Sequence, residues 1–368
     1  MHGHYETDPS VRTPLPVYDI HQDYDWNYAH APKLSMESID SMDPVPGQWT
    51  YAGLSVPSPL AMAAGPLLNS QWLLYYARLG FDVLTYKTVR RCERASYPMP
   101  NLVPVVSDVL TPGVPAVNAQ ATMGDAWAVS FGMPSKMPAV WRSDVALCRS
   151  HLASHQILSV SVVATPDATT SAVALGEDYA QCAVWAFESG ADVVELNFSC
   201  PNVSTSDGQL SNQLDAAKGV LETVRAAVGD RPLLVKLGVV DDMEQIDLWI
   251  ALAQLTRIGL VMINCVGARV RTVDASSNTF HFGGDSRGIA GKAIAPAVKQ
   301  QFHAFAEARK RQQASVSLLP VGGIDQAEEV TWFLDRGAEA IQVATAPMLN
   351  PHWAMEIRQG MHPSRHRS

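Results

Sequence analysis

The sequence predicts an α/β protein folded as a (β/α)8 TIM barrel, with an N-terminal arm and an inserted lid segment. Three observations carry that expectation. Eight short apolar runs alternate with longer amphipathic stretches over about 300 residues, the pattern of strand–helix units and a parallel sheet. Three turns, Gly80-Phe81-Asp82, Ser189-Gly190-Ala191-Asp192 and Arg336-Gly337-Ala338-Glu339, repeat one helix-to-strand device. The chain, 368 residues and 47% hydrophobic, is long enough to bury a large core without disulfide staples. A doubly wound open sheet of the same units is the alternative.

Residues 1–53 are rich in Pro, Asp and aromatics, lack helical or alternating periodicity, and read as an arm laid over the domain. The barrel is assigned to 54–361, with strands at 60–65, 83–89, 157–164, 193–199, 233–237, 260–266, 318–322 and 341–346. Helices are expected at 72–79, 178–188, 243–256, 327–335 and 353–359, several stopping near a glycine. The interval of about 90–155 is too long for a βα loop and reads as a lid over the barrel mouth. Residues 362–368, like His2 and His4, read as flexible ends.

Composition excludes several classes of function. With 27 Lys+Arg against 36 Asp+Glu, a net charge of −9 gives no electrostatic grip on phosphate backbones, so no nucleic-acid partner is expected. The five cysteines have no CxxC pair, which argues against a metal site, an iron–sulfur cluster or a disulfide framework and suits a reducing cytoplasm. No run approaches the roughly 20 apolar residues of a membrane span, and the first residues lack the pattern of an export signal, so no membrane partner is expected.

In such a barrel the C-terminal strand ends build the active site, so polar residues there need explaining. The run Glu195-Leu196-Asn197-Phe198-Ser199-Cys200-Pro201-Asn202 ends an apolar strand in two carboxamides and a thiol. Carboxamides donate and accept, which suits a ring of alternating N–H and C=O groups; a plain Pro turn is the structural alternative. Lys87 and Lys236 sit inside apolar strands, where a lysine is costly unless paired. Each suits a bound anion or an electron-rich ring, or else a buried carboxylate. Asn264 and Cys265 put another amide and thiol at the sixth strand end. Gly322-Gly323 and Ala344-Thr345 follow the last two strands, where barrels commonly hold a phosphate on backbone N–H groups. The Gly-rich stretch 283–292 matches neither the P-loop nor the dinucleotide spacing.

These motifs, together with Ala63-Ala64-Gly65, Tyr86-Lys87-Thr88 and Gly288-Ile289-Ala290-Gly291, resemble in order those of the dihydroorotate dehydrogenase family of FMN-dependent barrels, to which the flavin and pyrimidine domain of dihydropyrimidine dehydrogenase is related. The resemblance covers about 54–350, and the Asn-x-Ser-Cys-Pro-Asn run is its most specific part. It implies FMN across the barrel mouth, bound by Ala64, Gly65, Lys87, Thr88, Asn197, Lys236, Asn264, Gly288, Gly291, Gly322, Gly323, Ala344 and Thr345. The substrate would meet Asn197, Ser199, Asn202, Asn264, Cys265 and the backbone of Gly132 and Met133. Cys200 would be the base and Lys87 would lie between flavin and substrate, as in the soluble class 1 enzymes, which pass electrons to an acceptor such as fumarate. An NAD-linked version would need a separate subunit. Barrels of this family often form homodimers.

Two departures concern the substrate side. Val129, in Val129-Ser130-Phe131-Gly132-Met133-Pro134, stands where the family has a substrate-binding asparagine, with Asn118 as a candidate replacement. Cys265 replaces the usual serine or threonine. Besides a class 1-like dihydroorotate dehydrogenase, the residues therefore admit a paralogous FMN enzyme for a different dihydropyrimidine, cyclic amide or unsaturated carbonyl compound. A non-catalytic flavin-binding protein is the third reading.

Overall fold

The computed structural model describes residues 15–33, 42–106, 109–167, 169–199, 210–240, 242–273 and 279–361. A hairpin of β1 (Trp49–Tyr51) and β2 (Leu54–Val56) precedes β3 (Leu60–Met62) and β4 (Val83–Val89). Three strands then lie outside the main sheet: β5 (Leu102–Val106), β6 (Ala116–Ala119) and β7 (Ala126–Val129). The main sheet resumes with β8 (Ile157–Val162), β9 (Val193–Asn197), β10 (Leu233–Lys236) and β11 (Gly259–Met262). After a second excursion through β12 (Val266–Arg271) and β13 (Arg287–Gly291), it ends with β14 (Leu318–Pro320) and β15 (Ile341–Val343).

The main sheet has eight strands in the order β14-β11-β10-β9-β8-β4-β3-β15, all neighbours parallel. A parallel bridge between Val321 and Gln342 joins its two ends. The predicted (β/α)8 architecture is what the chain adopts. Every residue of these eight strands is buried, because helices cover the outside and side chains fill the inside. The wall contains α2 (Ser70–Ala77), α3 (Pro138–His151), α4 (Ala172–Glu188), α5 (Leu214–Val228), α6 (Met243–Thr256), α7 (Ala295–Arg311), α8 (Ala327–Leu334) and α10 (Trp353–Met361). A short α9 (Thr345–Leu349) follows β15.

Strand side chains alternate between the two faces, which sorts the interior into tiers. Ala61, Val83, Ile157, Val193, Leu234, Val261 and Leu319 form a lower apolar tier plugged by Tyr51 of the hairpin. Two residues further along, Thr85, Ser159 and Glu195 form a polar tier; Lys87, Ser161 and Asn197 follow at the mouth.

The lid differs from a single insertion. Strands β12-β13-β7-β5-β6 close into a small barrel of their own, drawn from two separate excursions. The sixth expected strand, 260–266, is therefore split between β11 and β12, and much of the stretch 283–292 is strand β13. The end of the 90–155 interval is α3, which joins the barrel wall beside α2 and α4. Its Trp141, Val145 and Cys148 make an i, i+4, i+7 stripe facing the core.

Of the arm, residues 15–33 include α1 (Tyr24–Ala29), capped by the Asp23 side chain. Asn27 is fully buried and binds the loop before it: its amide donates to the carbonyls of Asp19, Gln22 and Asp23, and its Oδ1 accepts from Asp19 N–H. Trp72 Nε1 donates to Asn27 O at 3.0 Å and the Asn69 amide to Tyr28 O at 2.8 Å, which fastens the arm to α2.

Candidate active site

Between the barrel mouth and the lid lies a cleft of about 1150 Å³, part of it open to solvent. Its polar floor comes from strand ends on one side of the barrel: Lys87 on β4, Asn197 on β9, Lys236 on β10, and Asn264 just beyond β11. Parallel pairing sets Lys236 beside Asn197 in register. Asn197 is 6% exposed and oriented by its surroundings: its Oδ1 accepts from Ser199 N–H and Ser199 Oγ, at 3.1 and 2.9 Å, while Tyr179 Oη binds its carbonyl.

Beneath this floor sits a charge network. Glu195 is fully buried; its Oε2 accepts from Gln342 Nε2 at 2.8 Å, and Gln342 also donates to Tyr51 Oη. Lys236 Nζ lies 3.9 Å from Glu195 Oε1, an oxygen that takes no hydrogen bond among the described residues. The carboxylate expected as an alternative partner for a buried lysine is thus present, yet Lys236 still lines the cleft. Lys87 is 7% exposed, with its ammonium 5.7 Å from the Phe131 ring centroid.

One flank of the cleft is backbone. Gly322 and Gly323 hold φ of 105° and 68°, a region that L side chains rarely enter. A Cβ on Gly322 would stand 2.7 Å from Ile294 Cδ1, and one on Gly323 2.7 Å from the Ala295 backbone. Gly291, Gly322, Ala344 and Thr345 line this flank, and Ala64 and Gly65 line the cleft after β3.

The roof is mostly apolar: Leu102, Trp127, Val129, Phe131 and Met133 come from the lid, with Met348 from α9. Arg90, at the end of β4 and fully buried, donates to the carbonyls of Met133 and Ala164, tying the lid to β8.

Most expected site residues converge here. Lys87, Asn197, Asn264, Cys265, Gly132, Met133, Ala64, Gly65, Thr88, Lys236, Gly288, Gly291, Gly322, Ala344 and Thr345 all line the cleft. Gly323 stands behind Gly322, and Ser199 turns away to hold Asn197. Cys200 and Asn202 lie outside the described residues. Asn118 does not replace the missing amide: it is exposed on β6, opposite Val106 and Arg271 and away from the cleft. Sequence reasoning passed over Glu195, although a glutamate inside an apolar strand is the same signal that singled out the lysines. It also missed Tyr18, which lines the cleft from the arm.

Comparison with known proteins agrees with this geometry. The dihydroorotate dehydrogenase family model matches residues 48–364. A dihydroorotate dehydrogenase of Dictyostelium discoideum is 30% identical over 359 residues, 93% of this chain and 96% of its own. A Pediococcus pentosaceus protein bearing the name of the A-type, fumarate-linked enzyme is 24% identical over 323 residues, 86% of this chain and 93% of its own. Among solved structures, Eimeria tenella DHODH in complex with ferulenol superposes with a TM-score of 0.68 at 18% identity, covering 85% of this chain and 83% of that one, a likeness of fold. With one relative aligned almost end to end and the family model spanning most of its length, the chain belongs to the dihydroorotate dehydrogenase family of oxidoreductases acting on CH–CH bonds.

Proposed function

We propose that this protein is a class 1-like dihydroorotate dehydrogenase that binds FMN, oxidises dihydroorotate to orotate and passes the electrons to a soluble acceptor such as fumarate. The observation that carries the reading is the convergence of Lys87, Asn197, Lys236 and Asn264 under one apolar roof, beside a flank of bare backbone. The residues fit the cofactor. The Gly322–Gly323 turn is bare backbone packed too closely on Ile294 and Ala295 to admit a Cβ, and the flank suits a phosphate on backbone N–H groups.

When bound, FMN supplies the hydride acceptor. Lys236, held by Glu195, places a positive charge beside Asn197 where an electron-rich ring is favoured. Lys87 gives a second charge toward the lid, and Asn197 and Asn264 offer the donors and acceptors that a cyclic amide needs. The apolar roof excludes water and strengthens these contacts. Cys200, one residue past Ser199, is the proposed proton acceptor; the support is its place in the Asn-x-Ser-Cys-Pro-Asn motif. Because the thiolate accepts the proton, substrate oxidation should accelerate as pH rises through the Cys200 pKa, near about 8.5 for a free thiol.

Val129 on the roof keeps a second reading in view, an FMN paralogue with a different ring substrate. Anaerobic titration with dihydroorotate, following the flavin absorption band, separates the two. Rapid bleaching that Cys200→Ala slows by two orders of magnitude or more is the expected result. A yellow protein that dihydroorotate leaves unbleached moves the assignment to the paralogue, and a protein that cannot be loaded with FMN removes both.

A further inference from the structure

The arm reaches into the cleft at one residue. Tyr18 is 3% exposed and lines the cavity, with its ring edge-on to Phe131 at 6.2 Å and tilted against Trp72 at 6.0 Å. Its hydroxyl is buried and has no hydrogen-bond partner among the described residues. A buried polar group left unpaired costs about 1–3 kcal/mol, and native structures rarely retain one without a reason.

The position of Tyr18 is set with care. The loop that follows it is tied by the Asn27 side chain to the carbonyls of Asp19, Gln22 and Asp23. That loop is anchored to the barrel wall through Trp72 and Asn69, and Lys136 at the lid's edge pairs with Asp25 at 2.7 Å. Tyr18 is therefore held in place before any ligand arrives. Burial, reinforced by Asp23 and Asp19, pushes its hydroxyl above the ordinary tyrosine range, so it remains a neutral donor across the working pH range.

The cleft is polar below and apolar above. The floor offers Lys87, Asn197, Lys236 and Asn264, whereas the roof side chains Leu102, Val129, Phe131, Met133 and Met348 carry no N–H or O–H and Trp127 brings a single indole N–H. A ring bearing amide carbonyls and a carboxylate has acceptors around its whole edge, and a roof with so few side-chain donors would leave some of them unmet. Phe131 links the two regions, since it touches Tyr18 and also lies 5.7 Å from the Lys87 ammonium.

We infer that Tyr18 of the N-terminal arm is a substrate-binding residue whose hydroxyl donates to an oxygen of the ring-amide substrate, giving the roof the polar contact that Val129 does not supply. This assignment rests on the proposed dihydroorotate chemistry. It makes the arm part of the site and predicts that specificity is shared between barrel and arm.

The test is Tyr18→Phe, which removes one oxygen and keeps the ring that packs on Phe131 and Trp72. FMN-loaded wild type and variant are titrated with orotate, reading the perturbation of flavin absorbance, with FMN content and thermal midpoint measured alongside. The expected result is an orotate Kd raised about tenfold or more, as for one lost hydrogen bond, with FMN content and midpoint unchanged. An unchanged Kd overturns the inference and leaves Tyr18 a packing residue. Loss of FMN from the variant also overturns it, because the hydroxyl would then serve the cofactor. If wild type itself gives no response to orotate, the dihydroorotate reading fails and this inference with it, a result distinct from a wild-type response that Tyr18→Phe leaves intact.

Discussion

Glu195 and Lys236 show how one buried pair can serve both folding and chemistry. Their atoms are 3.9 Å apart, and one Glu195 oxygen takes no hydrogen bond among the described residues, so the pair is looser than a hydrogen-bonded salt bridge. Removing one partner of a tight buried pair costs about 3–5 kcal/mol; for this looser pair we expect Glu195→Gln to cost about 2 kcal/mol, because the amide still serves Gln342 but no longer offsets the Lys236 charge. Urea unfolding of the apoprotein measures this directly, and a variant as stable as wild type would show that Lys236 needs no counter-charge. The two lysines were legible in the sequence because a charge in an apolar strand is conspicuous. Tyr18 was not, because a tyrosine in an irregular arm looks the same whether it packs, binds or faces solvent.

Glycines at two places in the fold should respond oppositely to one added methyl group. Gly323, in the turn after β14, has φ of 68° and would press a Cβ to within 2.7 Å of the Ala295 backbone at the start of α7. Gly323→Ala should lose about 2 kcal/mol of stability and lower the ratio of FMN to protein after purification, since the shifted turn flanks the proposed phosphate site. Gly219 lies within α5 with nothing in the way of a Cβ, and Gly219→Ala should gain about 0.5–1 kcal/mol. Thermal shift on both variants checks the pair, and destabilisation by Gly219→Ala would contradict the open space found there. The same contrast explains what the sequence revealed. Parallel barrel strands are continuous apolar runs, and all eight could be located, with α6 over its full length (Met243–Thr256). The lid could not be assembled in advance, because β6 pairs with β12 and β7 with β13 from far along the chain, and local periodicity carries no record of such pairing.

The barrel is also tied together at the end opposite the cleft, and that closure can be tested separately from the chemistry. Arg358 of α10 is 4% exposed and gathers four parts of the chain. Its Nη1 donates to Asp82 Oδ2 at 2.5 Å, to Ser58 Oγ at 2.9 Å and to Gly80 O at 3.3 Å, while Nη2 donates to Asp43 O at 2.8 Å. The last helix is thereby joined to the arm and to the entries of β3 and β4. Arg358→Ala would strand the Asp82 carboxylate, and the expected cost is about 3–5 kcal/mol, read as a lower urea midpoint with the slope unchanged. A double change of Arg358→Met with Asp82→Leu should regain most of the stability, because replacing a whole buried pair with packed apolar groups is close to neutral. If the double variant is no better than the single, the backbone contacts to Asp43 and Gly80 dominate and the ion pair is secondary. In every folded variant of this set the orotate affinity should match wild type, since the pair lies at the entries of β3 and β4 and shares no residue with the cleft.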